Sequence, residues 1–273
     1  MKMVVLAGSI LALASGTASA ADMAVKARPA PIPVPVYSWT GCYIGANVGG
    51  KWARTGEVVN VPAATGPGGA SAASFLDLGS ANSDTIIGGG QVGCNWQSGR
   101  IVFGIEGDAD AQRWRRTDVI AGVLPVSFVA GDTFELRSTW QASVRGRIGY
   151  AWDRTLLYAT GGVAFTDVRA FTNWIAFGGF PGTLASETRT LVGATFGAGI
   201  EYAVTNNWSI GVEGRYSWYG RENFSGGQLA TFGFPPGGPF TFSPTNRDVK
   251  VETAEVMLKA NWRFNAGPVV AKY

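Results

Sequence analysis

Histidine is absent from this 273-residue chain. Without it, neither a Ser-His-Asp nor a Cys-His nucleophile arrangement can be assembled, and histidine-ligated metal centres are excluded as well. Cysteine is nearly absent. Cys42 and Cys94 are the two, too few for a cysteine-rich zinc site. Charge is sparse: Asp, Glu, Lys and Arg make up 15% of residues, and the net of +3 is too slight to argue for a nucleic-acid partner. After the first residues no apolar run is long enough for a spanning helix, and charge-free stretches such as 58–75 are full of Gly, Pro, Ser and Thr. Phosphate loops, GxSxG elbows and complete dinucleotide fingerprints are missing. The run "GGGQVG" (88–93) falls inside a strand pattern, where glycine suits close packing and bending in a small barrel. What the chain has in quantity is Gly, 39 of them, and Trp, 10, heavy for a soluble domain.

Residues 1–20 read as an export signal. Lys2 gives a positive start, "VVLAGSILALA" an apolar core too short to cross a bilayer, and Ala18 and Ala20 the small residues before a cut after Ala20. Export places both cysteines in an oxidising compartment. Residues 21–37 follow as a proline-rich periplasmic lead-in, since the prolines of "VKARPAPIPVPV" favour an extended segment without ladder hydrogen bonds. Residues 38–264 carry the body of the protein, and 265–273 form a short tail.

The body repeats with a period of two, the signature of strands with one apolar and one polar face. "GCYIGANVGGKW" (41–52) sets Cys42, Ile44, Ala46 and Val48 against Tyr43, Asn47 and Lys51. "GQVGCNW" (90–96) sets Val92, Cys94 and Trp96 against Gln91 and Asn95; "RIVFGIEGDAD" (100–110) sets Ile101, Phe103 and Ile105 against Glu106, Asp108 and Asp110. The same alternation marks 140–151, 191–202, 208–219 and 251–264, and less distinctly 156–165, giving eight strands. "QSGR", "WDRT" and "AVTNN" are hairpin turns. The other connections, about 53–83, 114–136, 169–187 and 221–248, are long. Short and long links in strict alternation put every long loop at one end of an up-and-down sheet, as in outer-membrane barrels.

A lipocalin-like soluble barrel would put its apolar residues inside. Here the apolar face starts and ends in Trp, Tyr and Phe, which suits two membrane interfaces, and the polar face mixes small residues with opposite charges, which suits a narrow lumen. Closure satisfies every backbone group where water is missing. The reading is an all-β, eight-stranded antiparallel transmembrane barrel with short periplasmic turns and four long outer loops.

The strings "WTGCYIGANVGGKW", "IIGGGQVGCNWQ", "FGIEGDAD", "SVRGRIGYAWDRTLLYATGGVAF" and "GAGIEYAVTNNWSIGVEGRYSW" resemble the alphaproteobacterial outer membrane immunogenic proteins, a porin-type family, over nearly all the mature chain. The resemblance implies an abundant surface barrel associated with the Gram-negative envelope. Some members are linked to haem binding or surface recognition, and no residue set for either carries over. "VETAEVMLKANWRF" (251–264) resembles the strand read by the barrel-assembly machinery, with Trp262 and Phe264 as the assembly signal. It departs in Lys259, where Gly is usual, and in the nine residues that follow Phe264.

Candidate sites follow. If Cys42 opposes Cys94, residue 39 opposes 97 and 52 opposes 84, which fits both strands and allows a disulfide; two free thiols acting as small apolar residues are the alternative. Glu106, Asp108, Arg145, Arg147, Glu201, Glu213, Arg215 and Lys259 fall on the lumen face as a charge network. A salt-bridged plug accounts for them better than acid–base catalysis. "DAD" (108–110) caps the lumen at its outer end or, less simply, binds a divalent ion. "RWRR" (113–116) meets lipopolysaccharide phosphates or starts a solvated loop. The sequons at Asn207 and Asn223 are short patterns that arise by chance. The expected function is a non-enzymatic envelope and surface-display barrel, with a small gated pore or a binder of haem or a host partner as alternatives. No cofactor is called for. The expected partners are outer-membrane lipid, lipopolysaccharide and the assembly machinery.

Overall fold

The computed structural model describes residues 37–66, 69–71, 73–121, 130–175, 182–231 and 241–264. The signal, most of the lead-in, the tail and most of "LATFGFPPGGPFTF" (229–242) lie outside them. Among the described residues there are ten strands: β1 (Gly41–Val61), β2 (Ala64–Gly66), β3 (Gly69–Ser71), β4 (Ser74–Ser98), β5 (Ile101–Val119), β6 (Thr133–Trp152), β7 (Thr155–Trp174), β8 (Thr183–Ala203), β9 (Trp208–Thr231) and β10 (Thr241–Arg263). Eight close into an antiparallel barrel in the order β1-β10-β9-β8-β7-β6-β5-β4, and β2 with β3 forms a separate hairpin. β10 pairs with β1 along almost its whole length, from Tyr43↔Arg263 to Asn60↔Asn246. The last strand of the sequence therefore has to lie where it does to close the ring.

The alternation fixes which side faces out. Ile44, Val48 and Trp52 on β1 are exposed, while Tyr43, Lys51 and Thr55 are buried. Trp96, Trp208 and Trp262 stand outward near the short turns, and Trp52, Trp140 and Trp218 stand outward at the other edge of the apolar band. The run between these two girdles is about the 9–11 residues that a tilted strand needs to cross a bilayer core.

The strands are longer than the periodicity predicts. Most of the expected long connections are strand, because the pattern changes character above the second girdle. There the barrel interior turns apolar: Trp114, Leu136, Val168, Leu191, Tyr219, Phe224, Val249 and Val251 share one buried cluster. Val59, Val61, Ile120, Phe134 and Trp174 share another further out. The outside turns polar, as in a water-soluble barrel. Irregularities fall near this change. The register slips at Glu57/Val58, Ala111/Trp114, Arg137/Gln141 and Lys250/Glu252. Gly79 (φ 68°) and Gly220 (φ 74°) lie opposite the first and last of these slips, in a left-handed conformation that glycine adopts without steric cost. At these slips the buried set moves by one residue on β4, β6 and β9, while β1, β5, β7 and β10 keep strict alternation.

Candidate functional site

The inward-facing residues of the lipid-height section are the candidate site. Arg145 on β6 is at its centre. Its guanidinium donates to Glu106 Oε1 at 2.7 Å, to Asp108 Oδ1 at 2.9 Å and to Glu213. Lys259 Nζ bridges Glu106 (2.6 Å) and Glu213 (3.1 Å). Arg215 binds Asp108 and Asp110 at 3.0 and 3.2 Å and Glu255 at 2.7 Å. Lys51 reaches Glu255 at 3.2 Å and Gln141. Towards the short turns, Arg147 holds Glu201 at 3.0 Å and lies 3.9 Å over the Tyr158 ring. Tyr43 donates to Glu106 at 2.6 Å, and Tyr158 donates to Glu213 at 2.9 Å. Glu201 also accepts from Ser209 and Asn261. These acids and bases are essentially solvent-free, with side-chain exposures of 0–4%. Buried charges require such multiple partners, because an unpaired ion at low dielectric costs several kcal/mol.

Both ends of the network are closed. At the short-turn end Trp39 is fully buried against Val102, Ala151, Leu156, Tyr158 and Ala203, with Tyr37 packed on the cluster. The Trp39 backbone N–H donates to Gln97 Oε1 at 2.6 Å, and Arg263 donates to the Ser38 carbonyl at 2.5 Å. At the other end lie the two apolar clusters and, between them and the wall, further polar clasps. Arg247 pairs with Glu57 at 2.5 Å, and Arg116 donates to the carbonyls of Thr55 (2.8 Å) and Leu78 (2.9 Å).

All eight residues expected in the lumen network are there and in mutual contact. Cys42 and Cys94 are in register on β1 and β4 and joined at 2.06 Å. The predicted pairing of 52 with 84 is present in the same ladder. Trp262 and Phe264 face outward and pack edge to face with centroids 4.6 Å apart.

Several expectations need correction. Asp108 and Asp110 do not cap the outer end; they sit at mid-height, both bound to Arg215, with Arg116 and the Glu57–Arg247 pair above them. Two carboxylates shared with a guanidinium are poor ligands for a divalent ion. Within "RWRR", Trp114 and Arg116 point inward and only Arg113 and Arg115 point out, so the tryptophan is no interfacial anchor. Next to the assembly signal, Arg263 meets the Ser38 carbonyl and the Tyr37 and Trp39 rings. Tyr37, assigned to the lead-in, packs on the barrel's base. Sequence reasoning missed Lys51 and Glu255 as network members, although both lie on the polar face of strands it recognised. It also missed Glu57 and Arg247, whose strand segments read as loop.

Comparison with known proteins places this barrel. Residues 9–264 match the family model for the outer membrane protein beta-barrel domain. The 31 kDa outer-membrane immunogenic protein of Brucella melitensis is 33% identical over 231 residues, 82% of this chain and 89% of its own length. The 22 kDa outer membrane protein of Rhizobium leguminosarum bv. viciae is 33% identical over 200 residues, 72% of each chain. Among solved structures, the attachment invasion locus protein of Yersinia pestis is 16% identical, with a TM-score of 0.34 over 82% of this chain and 99% of its own.

Proposed function

The chain belongs to the outer membrane protein β-barrel family and resides in the outer membrane, and from that premise we propose that it is a closed structural barrel that braces the envelope and displays its outer strands and connections at the cell surface. One observation carries this reading: among the described residues, three successive layers of side chains occupy the interior. The order is an aromatic base around Trp39, a dry ion-pair network around Arg145, and apolar clusters around Trp114 and Phe134. Water or solute moving through would have to separate buried ion pairs, each costing about 3–5 kcal/mol when one partner is lost.

A non-enzymatic role is supported by the same filling. Every carboxylate of the network is bound to a cation or hydroxyl, which leaves none of them free for acid–base work. Among side chains that could ligate haem, the cysteines are joined to each other, Met257 Sδ lies 3.3 Å from Arg215, and the Tyr43 and Tyr158 hydroxyls are held by acids. Trp262 and Phe264, side by side on the outward face of β10, suit recognition by the assembly machinery. Planar-bilayer recording on the pure refolded protein is the test. A flat baseline is expected across applied voltages, and discrete single-channel steps would replace this reading with that of a pore.

A further inference from the structure

Outward-facing arginines crowd one patch of the wall just above the outer tryptophan girdle. Arg115 on β5 is directly opposite Arg137 on β6, and Arg137 is directly opposite Arg169 on β7. All three are exposed, as is Arg113 two residues below Arg115. Neighbouring strands are about 4.8 Å apart, and like charges directly opposite on one face repel. Local acids only partly relieve this. Glu135 forms ion pairs with Arg115, 3.1 Å from its Nε, and with Arg137. Asp167 is turned to the backbone N–H groups of Thr139 and Trp140, 2.8 Å each. Arg169 Nε donates to the Ser186 hydroxyl, at 3.1 Å.

An apolar trough lies directly below. Gly90, Ala109 and Ala142 are in register across β4, β5 and β6, and Phe165 stands opposite Ala142 on β7. With Val92 and Val144 they line an open depression of about 530 Å³ on the lipid-facing side. Trp140, 41% exposed, stands between the trough and the arginines. A row of guanidinium groups facing the headgroup level, above a channel of small residues facing hydrocarbon, is complementary to an anionic amphiphile.

We propose that this face holds one phosphorylated glycolipid of the outer leaflet, its phosphate spread across Arg115, Arg137 and Arg169 and an acyl chain laid in the trough. Planar guanidinium groups bind phosphate through paired N–H donors, and the anion removes the repulsion along the row. Arg113 reinforces the field, since each basic residue near an anionic surface adds to attraction. The inference rests on the outer-membrane location alone and holds whether or not the barrel conducts.

The test is calorimetric titration of the refolded mature protein in detergent micelles with three probes: bisphosphorylated lipid A, the same lipid dephosphorylated, and inorganic phosphate. The wild type is expected to bind the phosphorylated lipid at least tenfold more tightly than the dephosphorylated one, and inorganic phosphate far more weakly than either. R115Q/R137Q/R169Q should erase the phosphate preference. R113Q/R169Q leaves both Glu135 ion pairs intact, guards against a folding defect, and should weaken the preference at least threefold. An unchanged preference in either variant that retains heat-modifiable gel migration overturns the proposal. Equal affinity for inorganic phosphate and lipid overturns it as well, leaving a plain anion site.

Discussion

Replacing Arg145 with Met removes the most connected cation of the lumen while keeping an unbranched stem of similar reach. Three carboxylates lose a donor: Glu106, Asp108 and Glu213. None becomes an orphan. Glu106 keeps Lys259 and Tyr43, Asp108 keeps Arg215 and Ser143, and Glu213 keeps Lys259 and Tyr158. The loss should therefore match the breaking of one buried pair, about 3–5 kcal/mol, and not three times that. The assay is reversible urea unfolding in phospholipid vesicles, read by tryptophan fluorescence and by the fraction of heat-modifiable protein. A second variant adds Glu213→Leu. Removing acid and base together takes one charge of each sign out of the interior, so the double variant should lose at least about 1 kcal/mol less than the sum of the singles. An Arg145→Met protein within about 1 kcal/mol of wild type, or strictly additive losses, would refute the claim that this network is dry and tightly coupled.

Cys42→Ala with Cys94→Ala should still give a closed barrel, because the β1–β4 ladder surrounds the bridge. Opening a loop of 52 residues lowers unfolding stability by up to about 4 kcal/mol on chain-entropy grounds, measurable by the same urea titration. Two glycines should behave oppositely. A Cβ at inward Gly162 would lie 2.1 Å from the Val144 carbonyl, whereas one at outward Gly214 meets nothing within 4 Å. Gly162→Ala should cost about 1–3 kcal/mol or prevent assembly, while Gly214→Ala should leave urea stability within about 0.5 kcal/mol.

Much of the barrel was legible because lipid imposes a strict rule. Between the girdles every outward residue is apolar or small and most inward residues are polar or small, Ile87 and Met257 excepted, so 41–52 or 251–264 can be assigned face by face without a structure. Opposite charges on the inner face then have nowhere to go but to each other, which made Arg145, Glu213 and Lys259 predictable partners. The disulfide pairing was legible from compartment and register. The upper wall was not. There apolar residues turn inward, polar residues turn outward, and bulges at Gly79 and Gly220 interrupt the count. A Gly- and Ser-rich strand with an interrupted period reads as loop. Trp114 differs: the period of two runs unbroken along β5 from Glu106 to Arg116 and puts its ring inside, so its place was legible by extending the count. The depth of Asp110 was not, because nothing within the strand shows that the lumen continues above it.

The change of sides along each strand also acts as a depth gauge. Suppose the barrel slid outward by one or two residues. Trp140 and Trp218 would leave the membrane for water at the outer rim. If it slid inward, Arg115 and Arg137 would enter hydrocarbon at that same rim, while Ile44 and Trp262 left it at the other. Charges on the lipid face cost up to about 2–4 kcal/mol near the bilayer midplane and little at the interface, so the penalty climbs steeply with each step. The protein therefore needs no anchor to fix its height. Its own wall sets how far the apolar-cored cup stands above the cell, and a membrane of different thickness would have to bend to meet it.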